Sequence, residues 1–86
     1  MRIIFTHSAW GDYLWFQEQD RKLIKRINQL IKETTRSPFE GIGKPEPLKG
    51  DLAGYWSRRI THEHRMVYSA TESELVIIAL RFHYQD

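Results

Sequence analysis

Between Arg36 and Gly54 the chain gathers all three of its prolines and four of its five glycines, and this punctuation separates two stretches with different periodicities. Upstream, Leu23, Ile27, Leu30 and Ile31 form an i, i+4, i+7, i+8 stripe, with Lys22, Lys25, Arg26, Gln29 and Lys32 largely outside it. That spacing predicts an amphipathic helix capped by Asp20. The helix should end near Thr34 or Thr35, because Pro38 disfavours helical geometry at Ser37. Before it, an N-cap at Ser8 opens a shorter helix that runs to about Glu18 and carries Trp10, Tyr13, Leu14 and Phe16. Gly11 weakens it by up to ~1 kcal/mol relative to alanine. Arg2 to Phe5, with Ile3 and Ile4, reads as a short buried strand. Downstream, Tyr55 to Thr61, His64 to Ala70 and Leu75 to Phe82 read as three strands joined by short polar turns, which implies antiparallel neighbours. The expected fold is α+β in the order β-α-α-β-β-β, one domain over residues 1–86, with both N-terminal helices on one face of a mostly antiparallel sheet.

Composition narrows the chemistry. The chain has no cysteine, which excludes disulfides, thiolate catalysis and cysteine-held zinc or iron–sulfur centres. No run approaches the ~18 apolar residues of a membrane span, and Met1 to His7 lacks a signal-peptide core, so no membrane association and a cytoplasmic location are expected. A net charge of +2 decides little, so the distribution of charge must. Lys44, Lys49, Arg58, Arg59, Arg65 and Arg81 fall in the Pro/Gly segment and the strands, interleaved with Tyr55, Trp56, Tyr68, Phe82 and Tyr84. Cations that neutralise phosphates beside rings that stack on unpaired bases suit RNA, although an ordinary solvated sheet face has the same composition.

Strand alternation places Ser57, Arg59 and Thr61 on one face against Trp56, Arg58 and Ile60 on the other. In the last strand Ile77, Ala79, Arg81 and His83 oppose Ile78, Leu80, Phe82 and Tyr84. If the registers agree, one face collects Arg59, Arg65, Arg81 and His83. Metal-free RNA cleavage needs a base for the ribose 2′-hydroxyl, an acid for the leaving 5′-oxygen and cations for the phosphorane charge. Glu46, His83 and Arg65 supply one of each. Glu46 stands between Pro45 and Pro47, which restrict its backbone, although a loop carboxylate is more often merely solvated. His83 brings the side chain whose ordinary pKa suits proton exchange near neutrality, although a strand-end histidine is more often structural. His62 and His64 bracket Glu63 like a metal pair, but no third ligand is visible, so neither a metal nor another cofactor is expected.

Ser8 to Tyr13 with its Trp10, Ser37-Pro38-Phe39-Glu40-Gly41, Gly43-Lys44-Pro45-Glu46-Pro47-Leu48-Lys49, Gly54-Tyr55-Trp56-Ser57-Arg58-Arg59-Ile60, His64-Arg65-Met66-Val67-Tyr68 and the closing His83-Tyr84 together resemble the YoeB branch of the RelE superfamily of toxin endoribonucleases. The resemblance runs from Ile3 to Tyr84. It implies a microbial-ribonuclease-like RelE fold and cleavage of messenger RNA in the ribosomal A site, by 2′-hydroxyl attack to a 2′,3′-cyclic phosphate. Carried over by position, Glu46 is the general base, His83 the general acid, Arg65 the phosphate clamp and Tyr84 the residue that orients or stacks on the nucleotide. Lys49 and Arg59 support the phosphates. The implied partners are a cognate antitoxin protein that displaces the C-terminal residues, messenger RNA on the ribosome with ribosomal RNA contacts, operator DNA only through the antitoxin complex, and a second copy of the chain in a homodimer.

Three departures stand out. Gln85 and Asp86 follow the His-Tyr pair at which the family usually ends, Ile42 replaces a common lysine between the glycines, and Gly11 replaces a better helix former. Two other readings of the same residues are a non-catalytic ribosome-binding inhibitor, for which the carboxylate is dispensable, and an inactive co-repressor.

Overall fold

The computed structural model describes residues 1–83. Thr6 takes an extended backbone and its hydroxyl accepts the Ala9 N–H, so the first helix begins at His7 and Ser8 lies inside its first turn rather than at its cap. This helix, α1, spans His7–Gln19 and follows strand β1, Arg2–Phe5. Asp20 precedes α2, Arg21–Arg36, as expected, but makes no side-chain capping bond. The helix runs a residue or two past Thr34 and Thr35 and stops where Ser37, before Pro38, leaves helical geometry. Its buried stripe is Ile27, Leu30, Ile31 and Thr34, with Leu23 partly covered.

The strands are β2 (Glu46–Pro47), β3 (Trp56–Arg59), β4 (Arg65–Ala70) and β5 (Glu74–Phe82), with a single 3-10 turn at Gly50–Leu52. They form one five-stranded sheet in the order β1-β5-β4-β3-β2. The β1–β5 pairing is parallel and the other three are antiparallel. The fold is therefore α+β with a mostly antiparallel sheet, plus one strand, β2, beyond the expected order. A strand of only Glu46 and Pro47, preceded by Pro45, carries no periodicity to read, and Pro47 is tolerated because β2 lies at the sheet edge.

Ala9 and Phe16 of α1, Ile27, Leu30 and Ile31 of α2, and Met66, Tyr68, Leu75, Ile77 and Leu80 of the sheet close one core. β5 is irregular twice: Tyr68 pairs with Ile77 but Val67 with Ala79, so Ile78 is an extra residue and the spacing from Ile77 to Leu80 is three, not two, and Arg65 pairs with Phe82, so Leu80 and Arg81 together oppose Met66. The amides that this bulge leaves without a strand partner are satisfied from α1, where the Asp12 carboxylate accepts the N–H groups of Leu80 (2.9 Å) and Arg81 (3.2 Å).

Gly43 is required by its surroundings. It has φ +80°, and a Cβ there would meet Leu30 Cδ2 at 2.8 Å and Arg58 Cβ at 3.1 Å, while its carbonyl accepts the Arg59 N–H at 2.7 Å. Gly43→Ala is expected to lose about 1–2 kcal/mol from left-handed backbone and a further ~1–3 kcal/mol from overpacking. Urea denaturation reads the loss, and an unchanged midpoint would mean that Leu30 and the loop yield freely.

Candidate active site

Two strands and an edge segment create the site. Because Arg59 pairs with Arg65 and Glu46 pairs with Ser57, these four residues share the sheet face opposite the helices. On that face Arg65 Nη1 donates to Glu46 Oε1 at 2.5 Å and reaches Ser57 Oγ at 3.4 Å. The Arg65 side chain is 15% exposed and that of Glu46 50%, so the guanidinium is held and the carboxylate stays open to solvent. Arg59 is exposed, and so is Lys49, two residues after the end of β2. The structure thus unites Glu46 with Arg65 and puts Arg59 on their face.

The other expected members lie elsewhere. Arg81 does not join Arg65, because the β5 bulge shifts the alternation on which that grouping depended. Its guanidinium carbon instead lies 3.7 Å from the Trp15 ring centroid, against α1. Arg58 is not part of a phosphate-facing patch. It is fully buried, donating to the carbonyls of Ser37, Glu40 and Ile42 and to the Tyr68 hydroxyl. Tyr68 is buried too, so it offers no stacking surface. Tyr84, the expected nucleotide-orienting residue, and the Gln85-Asp86 extension lie outside the described residues.

His83 follows the end of β5 and is exposed. Its ring meets that of His64 edge-on, with centroids 5.1 Å apart. His64 precedes Arg65 in the chain and turns to the helix side, against Phe16 and Trp15. The imidazole of His83 thus rests at the rim on the side opposite the Glu46–Arg65 pair. Burial holds the His64 pKa below the usual histidine value, against the upward pull of Glu63, whose carboxylate lies 3.5 Å from Nε2. Sequence reasoning weighed His64 only as half of a metal pair. Its core role became visible once Phe16 and Trp15 were seen to meet it.

A family model described as the YoeB-like toxin of bacterial type II toxin–antitoxin systems matches residues 5–84. The chain is 64% identical over 85 residues to the toxin YoeB of Synechocystis sp., covering 99% of both chains. Among solved structures, it superimposes on the YoeB dimer from Staphylococcus aureus with TM-score 0.92 and 47% identity, covering 98% of each chain. With the heterotetrameric YoeB–YefM toxin–antitoxin complex from the same organism the TM-score is 0.88, at 47% identity and 98% coverage of each chain.

Proposed function

The chain belongs to the YoeB-like toxins of bacterial type II toxin–antitoxin systems, and from that premise we propose that it is a ribosome-dependent endoribonuclease that cuts messenger RNA in the A site without a metal. YoeB toxins are ribonucleases. The observation that carries the mechanism is the Arg65–Glu46 pair on the open sheet face, a phosphate-binding cation already touching a solvent-accessible carboxylate.

The scissile phosphate competes for Arg65 and releases the carboxylate. Glu46 then takes the proton of the ribose 2′-hydroxyl, and the 2′-oxygen attacks phosphorus. Arg65 opposes the charge that grows on the phosphorane oxygens, a role suited to its planar fork of donors. The bond to the 5′-oxygen breaks as His83 donates a proton to it, leaving a 2′,3′-cyclic phosphate and a 5′-hydroxyl. Arg59 and Lys49 hold flanking phosphates, and Tyr84 orients the nucleotide. His83 reaches the substrate by rotating at the strand end, where it is exposed and no longer part of the β5 ladder.

Family membership, with the YoeB dimer and the YoeB–YefM complex among similar structures, supports the proposed protein partners. A YefM-type antitoxin neutralises the toxin by displacing its C-terminal residues, the complex binds operator DNA, and the free toxin dimerises. Ile3, Trp10 and Leu14 are 41–47% exposed and supply apolar surface for a protein contact. No helix among the described residues is long and apolar enough to cross a membrane.

The test is expression of the toxin without antitoxin, followed by mapping of message 5′ ends. Wild type should cut within codons at the A site, while His83→Ala should cut at least ~10²-fold more slowly. Arrested translation with intact messages would replace this reading with that of a non-catalytic ribosome inhibitor.

A further inference from the structure

The β3–β4 turn and the end of β5 meet away from the Glu46–Arg65 pair, on the helix side of the sheet. There Glu63, His64 and His83 each bring a donor atom within 4.8 Å of the others. The sequence offered His62 and His64 as a metal pair around Glu63 without a third ligand, whereas here Glu63 and His64 converge without His62 and the third ligand is at hand. His83 supplies it, because β5 ends beside the turn.

His64 is held in one orientation by Phe16 and Trp15 and is only 8% exposed. Its Nδ1 is buried without a hydrogen-bond partner, while Nε2 faces the Glu63 carboxylate at 3.5 Å. An ion held between the three side chains takes Nε2, the nitrogen that faces Glu63, on a ring that Phe16 and Trp15 already fix in place. The Glu63 side chain is 68% exposed and His83 is exposed, so both can close on an ion by rotamer changes alone. Tetrahedral donors at about 2.0–2.1 Å from zinc stand roughly 3.4 Å apart, a small contraction from the present separation.

We propose that Glu63, His64 and His83 form a binding site for a divalent transition-metal ion of the zinc class, and that the bound ion inhibits RNA cleavage by withdrawing His83. The inhibitory half rests on the reading of His83 as the general acid, whereas the site itself does not. Two imidazoles and one carboxylate form a known zinc-ligand set, leaving a fourth position for water. Hard cations such as magnesium prefer all-oxygen shells and are not expected to compete.

Calorimetric titration of zinc chloride into the untagged full chain should show one site. Glu63→Gln and His83→Asn should each weaken binding at least ~10-fold, since even outer-sphere partners of a metal contribute that much. Magnesium chloride should give no binding isotherm. His64→Asn removes the buried ligand together with its core packing, so the two exposed positions carry the decision. Zinc affinity equal to wild type in both exposed variants would place the ion on another group such as His7 or His62 and overturn the site, as would no binding to wild type. Zinc at saturation should suppress cleavage by wild type, and Glu63→Gln should need at least ~10-fold more zinc for the same suppression. Undiminished cleavage by the zinc-saturated wild type would overturn the inhibition. If His83→Asn without zinc cleaves at the wild-type rate, the acid assignment fails, while the titrations still judge the site.

Discussion

Glu46→Ala and Glu46→Gln are expected to slow messenger cleavage on programmed ribosomes by about 10²–10⁴ in single-turnover rate, the span typical of a positioned proton-transfer group. They should do so with little loss of fold. The carboxylate is half exposed, and an ion pair of that kind contributes at most about 1 kcal/mol after screening and side-chain ordering. In a domain this size such a loss lowers Tm by no more than about 4–8 °C. The backbone pairing of Glu46 with Ser57 and of Pro47 with Trp56 is untouched by truncation of the carboxylate. Glutamine is the sharper test, because it keeps the shape and a hydrogen bond to Arg65 while removing the base. Arg65→Ala should be at least as severe, since it removes the phosphorane's cation as well as the group that positions Glu46. A Glu46→Gln protein that cleaves at the wild-type rate would refute the assignment of the base and move the search to another group on the same face.

What the chain reveals about its own fold depends on how local the cause is. The α2 stripe was legible because four apolar residues at helical spacing need only each other and a core, and Pro38 announces the stop. Four of the five strands were legible for the same reason, to within a residue or two, and only β2 was not. The β5 bulge was not, because it arises from a match between Asp12 on α1 and two amides far along the chain. Strict alternation therefore grouped Arg81 with Arg65, and the extra residue where Leu80 and Arg81 together oppose Met66 separates them. The site was legible in part. Glu46 and Arg65 meet because of two adjacent antiparallel registers, which no pattern within either strand encodes. For Arg58 the signal was present: alternation put it with Trp56 and Ile60 on the core-facing side, yet its charge invited a functional reading. A cation on the apolar side of a strand calls first for a search for buried oxygen atoms.

Arg58→Met is accordingly expected to be the most destabilising substitution on the sheet, although methionine roughly conserves the length of the side chain. Replacing a buried ion pair with apolar side chains is often neutral, because both charged partners disappear together. Here the partners are backbone carbonyls and cannot be deleted. Arg58 Nη1 donates to Ile42 O at 3.0 Å, Nη2 to Glu40 O at 2.9 Å and to Ser37 O, and Nε to the Tyr68 hydroxyl at 3.2 Å. That hydroxyl in turn donates to Pro38 O, and burial raises its pKa so that it stays protonated. One guanidinium thus ties residues 37–42 to the core. Without it, the carbonyls stay unpaired at about 1–3 kcal/mol each, or the segment swings out to hydrate them and opens a cavity beside Tyr68. Either cost consumes much of a stability of about 5–15 kcal/mol. Lysine cannot substitute, because its single ammonium lacks the planar fork that reaches acceptors on three sides. Glu46 lies four residues beyond Ile42, so cleavage should fall even where folding survives. Hydrogen exchange of the amides of residues 39–44, followed alongside thermal unfolding, separates the two effects. Fast exchange confined to that segment, with the α2 amides still protected, is the expected signature of a released loop, whereas wild-type protection and Tm in Arg58→Met would show that the guanidinium is dispensable.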